Sequence, residues 1–354
     1  MTTEPHASTD FAVTRPPPRV ALIVGTGAVV VGMFFASLLF CTLRARYCPE
    51  LVGATFADML AGTADTPFQY RMLVPLLAHG IIAATGLRLD HPTVLSLSIE
   101  LVTVWLILLV AAAALRRRGL SLLWLAALYY MMVVNYVVDF GYNFLNCADL
   151  PALLFALLGL LLVAERRHVW FTLMLPLALL NRETGVLLSA LFLLVEAGRM
   201  QPARLAGHLA IQAVLFLAIK ATLTWIFRDN HGPHAASLFV SDYTGGARQL
   251  ADLRLWRNLQ PGSLLRLPCV FGGLWLPLLW RVRRIDDRVL ARAVWLFPPV
   301  FLLMLVVGNI TEFRIFTELI PILLFALAAI RRRGPVLGLP PAWPAVGASV
   351  DGRR

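Results

Sequence analysis

The tetrapeptide Asn181-Arg182-Glu183-Thr184 interrupts an apolar run over residues 169–196. A cation beside an anion in such a run is expensive, at roughly 3 kcal/mol per charge in the middle of a membrane helix. Charges kept at that cost mark a functional site by default, and the competing reading is an ion pair that fixes helix packing. Their chemistry is specific. A guanidinium holds a phosphate in a planar fork, and a carboxylate takes a proton from a hydroxyl. Further groups of both kinds occur along the chain: Glu50, Asp58, Asp65, Gln69 and Arg71; Asp139, Asn143, Asn146 and Asp149; Asp229, His231, His234 and Asp242; then Glu312, Arg314 and Glu318. Together they suit transfer of a group from a phosphate-bearing lipid donor to a hydroxyl acceptor.

The elements that must position these groups are membrane helices. The chain is 59% hydrophobic and 14% charged, and its apolar residues come in long blocks. The fold class is an all-α polytopic membrane protein with about ten transmembrane helices. Most of the 31 basic residues flank the apolar blocks, where the positive-inside rule uses them, so the net charge of +11 is no nucleic-acid signal. Residues 1–19 read as a disordered cytoplasmic tail, 20–333 as a single transmembrane domain, and 334–354 as a second disordered cytoplasmic tail. The first span is 20–41. Outer loops follow at 42–91, 139–149, 228–262 and 309–313. The first and largest carries a juxtamembrane or re-entrant helix at 68–86, because a full span there would put Arg116-Arg117-Arg118 on the outside. The run 169–196 is too long for one span and too short for two of about 20 residues, so two short arms meeting at Asn181–Thr184 are expected. Lys220 lies near the outer end of the span 205–227 and is expected to snorkel.

No cofactor is assigned. A divalent metal would rest on His231 and His234, whose spacing is i and i+3 across Gly232-Pro233. The four cysteines show no metal-ligand spacing. A disulfide between Cys48 and Cys147 stays open.

A first span, then a large outer loop with acids and an interfacial helix (TFADMLAGTADTPFQYRMLVPLL), then many spans joined by polar outer loops, resembles the GT-C superfamily of integral-membrane glycosyltransferases. The segments LLNRETG and EFRIFTELIPILL are similar to the Lys/Arg-Glu and late-helix arginine features of its bacterial members. The resemblance implies a polyprenyl-phosphate-linked sugar as donor and a glycan, lipid or protein as acceptor. It also implies a catalytic acid in the first outer loop. On it, Asp58, Asp65 and Glu50 are the catalytic acids, while Arg71, Asp149, Arg182, Glu183, Glu312 and Arg314 bind substrate. The family often carries a tight acidic pair soon after the first span, and here Glu50 stands singly, followed by Asp58 and Asp65. The expected location is a bacterial inner membrane, crossed many times, with both termini cytoplasmic and the site on the other face. The alternative is a transporter or flippase for an anionic lipid or solute, which would use the intramembrane Arg–Glu pair as a binding and gating site. Against it, the hydropathy pattern shows no internal repeat, and the first loop has no counterpart in the second half.

Overall fold

Apolar runs satisfy their own backbone groups by coiling into helices, and helices make up the regular structure of the computed structural model over its described residues, which are 19–66, 68–86, 92–138, 144–230 and 254–331. No strand forms among them, and the nearest approach is an isolated bridge between Glu50 and Leu145. Asp139, Asn143, His231, His234, Asp242 and the tails expected at 1–19 and 334–354, save Arg19 itself, lie outside the described residues.

The first half of the chain runs α1 (Arg19–Tyr47), α2 (Phe56–Ala61), α3 (Leu73–Thr85), α4 (Pro92–Arg117), α5 (Trp124–Tyr136), α6 (Asp149–Ala164) and α7 (His168–Asn181). The second half runs α8 (Val186–Glu196), α9 (Pro202–Ile226), α10 (Arg254–Asn258), α11 (Pro261–Leu264), α12 (Trp275–Arg281), α13 (Arg288–Ala293), α14 (Phe297–Val307) and α15 (Ile320–Arg331). Two helices sit at the centre. Helix α6 packs against α4, α7, α8 and α15, and α15 also packs against α5, α12 and α13. The 3-10 turn Phe313–Leu319 leads into α15 and is buried along most of its length.

Among the described residues five helical stretches are long and apolar enough to cross a membrane: Gly27–Tyr47, Pro92–Arg117, Pro202–Ile226, Arg288–Val307 and Phe313–Ile330. A sixth is reached if Pro261–Gly273 and Trp275–Arg284, bent by 82° to one another, count as one span. The bend has a local cause. Phe271 and Gly272 take φ of 56° and 64°, and Phe271 N–H donates to Asn135 Oδ1 at 2.9 Å. A Cβ on Gly272 would stand 2.3 Å from the Tyr130 ring, so glycine is required there twice over.

By length and composition these stretches number five or six among the described residues, against about ten expected crossings, and several other apolar runs form shorter helices. Helix α5 has 13 residues, α6 has 16 and α7 has 14. At 1.5 Å per residue these reach roughly 20–24 Å, against about 30 Å of hydrocarbon. The segment expected to be juxtamembrane divides into a 3-10 turn, Phe68–Tyr70, and the 13-residue α3, whose Val74, Pro75 and Ala78 pack inward while Leu76 and Leu77 stay exposed.

The run 169–196 breaks at Arg182, whose backbone is extended at φ −161° and ψ 141°. The arms α7 and α8 fold back on each other. Phe171 meets Phe192 at 5.2 Å between ring centroids, and a Cβ on Gly185 would lie 2.9 Å from the Ala178 backbone. Glycine at the tip therefore sets how closely the arms approach. All four cysteines are free thiols.

Candidate functional site

The tip of this hairpin enters a buried network of charges. Its centre is Asp149, the first residue of α6, which is fully buried. An anion is favoured at a helix N-terminus, where the dipole and the first N–H groups carry positive charge. Three guanidiniums surround it. Arg314 Nη1 lies 3.0 Å from Asp149 Oδ2, Arg182 Nη1 lies 3.3 Å from Oδ1, and Arg44 Nη2 lies 3.9 Å from Oδ2. A second ring of acids balances these cations. Arg44 faces Glu100 at 3.0 Å, as an ion pair out of hydrogen-bond alignment. Arg182 reaches Glu318 at 3.7 Å, and Arg314 reaches Glu312 at 2.9 Å. Thr184 donates its hydroxyl to Glu318 Oε1 at 2.6 Å, and Asn181 Nδ2 donates to Ala148 O at 2.7 Å, so the whole hairpin tip is tied down.

Above this network opens a cleft of about 460 Å³. Arg71, Arg182 and Arg314 line it, with Glu183 and Glu312 as its carboxylates among the described residues and with Phe68 and Phe144 as aromatic walls. The aromatics hold the cations in place. The Arg314 guanidinium carbon stands 3.5 Å from the Phe144 ring centroid, and that of Arg71 stands 4.7 Å from Phe68. Burial pushes the Arg71 guanidinium down to about 10, with Arg182 adding to the effect and Asp149 opposing it, so it stays cationic at neutral pH. Its Nη1 is buried with no hydrogen-bond partner, and so is Arg314 Nε. Buried charged donors left unpaired are costly, at about 1–3 kcal/mol or more each. The far wall depends on Asn258, which is buried at the end of α10. Its Nδ2 donates to Leu305 O and Gly308 O, each at 2.8 Å, and its Oδ1 accepts from Ile310 N at 3.2 Å. Those bonds fix the turn that carries Glu312.

Five residues expected to bind substrate, Arg71, Arg182, Glu183, Glu312 and Arg314, thus lie on one cleft, with Asp149 beneath it. The three acids taken as catalytic lie elsewhere. Asp58 closes a capping box with Thr55, its Oδ2 accepting from Thr55 N at 3.1 Å and from Thr55 Oγ1 at 2.6 Å. That carboxylate is committed to starting α2, not to the cleft. Asp65 is held against Gly53 by a backbone bond of 2.7 Å, and Glu50 accepts from Thr93 Oγ1 at 3.1 Å. None of the three lines the cleft, although Leu51, next to Glu50, does.

The expected partnership of Arg182 with Glu183 differs. Arg182 does not pair with its neighbour Glu183, because in extended backbone successive side chains point to opposite sides. Glu183 instead pairs with Lys220. The Lys220 ammonium also stands 4.3 Å from the Tyr70 ring centroid. Sequence reasoning missed Arg44 and Glu100. Arg44 looked like one more basic residue flanking the first span. Glu100 had a usable signal, as a lone acid inside the apolar run 92–115, and the rule that singled out Arg182 covers it equally.

Among the described residues no group of three or more His, Cys, Asp or Glu is placed to hold a metal ion. No family model, no curated protein and no solved structure matches the chain.

Proposed function

We propose that this chain is an integral-membrane glycosyltransferase whose arginine cleft takes the phosphate of a polyprenyl-phosphate-linked sugar. The observation that carries the reading is the unpartnered Nη1 of Arg71, buried in a cleft lined by two further guanidiniums. A phosphate oxygen supplies the missing acceptor, and the forks of Arg182 and Arg314 hold the remaining charge. The acceptor hydroxyl must lose its proton as the sugar is transferred. Among the described residues Glu183 and Glu312 are the carboxylates in reach, with side chains 35% and 22% exposed, whereas Asp149 is sealed beneath three arginines. In this reading the base is one of these two cleft acids, and not Asp58, Asp65 or Glu50. The finer topology belongs to the same proposal: ten crossings completed by the shorter apolar helices, both termini cytoplasmic, and the cleft facing outward from a bacterial inner membrane.

The test uses undecaprenyl phosphate as probe on protein purified in neutral detergent. Arg182→Lys keeps the charge and loses the planar fork. The variant is expected at wild-type levels, with binding weaker by about tenfold or more, equivalent to about 1.4 kcal/mol. Arg71→Gln should behave likewise. Wild-type affinity in both variants returns the cluster to a structural role. If binding is confirmed, Glu183→Gln and Glu312→Gln separate the two acids by release of the lipid phosphate from a sugar-loaded donor.

A transporter for an anionic lipid or solute is the second reading. The continuous run of ion pairs from Glu100 through Arg44, Asp149 and Arg182 to Glu318 favours it, since it links α4 to the cleft through the protein interior. Flux of undecaprenyl phosphate across proteoliposomes without loss of sugar from a loaded donor would select it.

A further inference from the structure

The far end of the α7–α8 hairpin holds a second polar pocket. Helix α7 has 14 residues, so this end lies about 20 Å along the helix from Arg182. The pocket is about 310 Å³ in volume and is lined by Arg166, His168, Glu196, Arg199, Arg204 and His208, among others. Three guanidiniums face one carboxylate, and Glu196 is already neutralised by Arg199 Nη1 at 2.9 Å. His168 Nε2 and His208 Nδ1 are buried and have no hydrogen-bond partner, and the nearest acid oxygen, on Glu196, is 3.6 Å from His168. The two rings stand 5.6 Å apart. Burial pushes the Arg199 guanidinium down against the pull of Glu196, and Arg166 and Arg292 add to the push. The pocket therefore has spare positive charge, which favours an anion with several oxygens, and a ring N–H of His168 or His208 adds a donor to that anion in the tautomer that protonates the unpartnered nitrogen.

Arg166 adds an independent sign. Its φ is 57°, a left-handed conformation that suits glycine and strains any other residue. It occupies the position just past α6 where a helix commonly ends on glycine, with Arg167 N bonding back to Leu162 O at 2.8 Å. A fold in need of that turn alone is better served by glycine. The side chain is kept against the backbone preference, and strain of this kind points to function. The surroundings suggest the source of the anion. Val169, Trp170 and Leu173 on α7 and Val214 and Leu217 on α9 are exposed apolar residues running away from the pocket. Acyl chains can lie along them, and an exposed tryptophan beside the pocket suits headgroup level.

We propose that this pocket binds the phosphate group of an anionic ligand between Arg166, Arg199 and Arg204, and that the ligand is an anionic phospholipid headgroup. The site is separate from the arginine cleft. Delipidated protein in neutral detergent is titrated with micelles containing cardiolipin, with phosphatidylcholine micelles and with inorganic phosphate, and its melting temperature is read. Cardiolipin should raise the melting temperature saturably, and phosphatidylcholine should not. Arg166→Gly and Arg204→Gln should each need about tenfold more lipid for the same rise, a change of about 1.4 kcal/mol. Because glycine relieves the strained turn, Arg166→Gly should melt no lower than wild type without lipid, so a lost response is not lost folding. Arg182→Lys should respond as wild type does. A saturating rise with inorganic phosphate equal to that with cardiolipin keeps the phosphate site and overturns the lipid as its source. No rise with either probe, an unchanged response in both pocket variants, or a response abolished by Arg182→Lys overturns the site itself.

Discussion

Asp149 is the residue on which the buried network turns. It accepts charge from Arg314, Arg182 and Arg44 while its own exposure is zero. Removing one partner of a buried ion pair leaves the other charge uncompensated, at about 3–5 kcal/mol. Asp149→Asn is nearly isosteric, so its effect isolates charge from shape. We expect a loss of stability in that range, read as a large fall in melting temperature in detergent. Asp58→Asn should differ in kind. It weakens one helix cap, worth about 1 kcal/mol, and leaves the cleft intact. Equal losses in the two variants would remove Asp149 from the centre of the network.

At the scale of elements, the hairpin of α7 and α8 positions the site. Its tip fits because Gly185 lets the arms close to backbone contact: a Cβ there would sit 2.9 Å from both C and O of Ala178. Gly185 has a φ of −52°, which any residue can adopt, so the obstacle is steric alone. Gly185→Val should cost about 1–3 kcal/mol by overpacking and should weaken probe binding at the Arg182 cleft in parallel. A variant of wild-type stability would show that the arms do not close as described. Helix α10 makes a second such contribution through one side chain. Asn258→Leu removes bonds to Leu305 O, Gly308 O and Ile310 N and leaves those buried groups unsatisfied. We expect a loss of roughly 2–3 kcal/mol in thermal unfolding, with binding at the cleft falling because the Glu312 turn loosens.

For the whole molecule, the arrangement to test is which helices cross. Helix α4 has 26 residues and separates the first loop from Arg117. Val52 is 91% exposed, and Arg117 is exposed as well. Cys41, Cys48 and Cys147 are buried and Cys269 is exposed, so Cys269→Ser is the clean background for labelling. Cysteines placed at Val52 and Arg117 should react from opposite sides of sealed vesicles. Reaction of both from one side would show that α4 does not span. The short helices α5, α6 and α7 need separate probes. The charged network gives their ends a polar protein interior, which permits a helix to stop inside the membrane's thickness.

The amino-acid sequence by itself determined the all-helical membrane class and the break at Asn181–Thr184. Both follow from local facts: long apolar blocks must coil to satisfy their backbone in lipid, and charges inside one such block interrupt it. It also marked most of the cleft, since Arg71, Arg182, Glu183, Glu312 and Arg314 are polar residues in or beside apolar runs. Only the tertiary structure decided who pairs with whom. Arg182 and Asp149 are 33 residues apart, and Arg314 and Asp149 are 165 apart. No periodicity encodes such distances, because helices surrounded by lipid and by other helices are apolar on every face. The same lack of periodicity hid where α5, α6 and α7 end, and with it the number of spans. It also hid the partner of Glu183, since only the fold shows α9 bringing Lys220 to the hairpin tip.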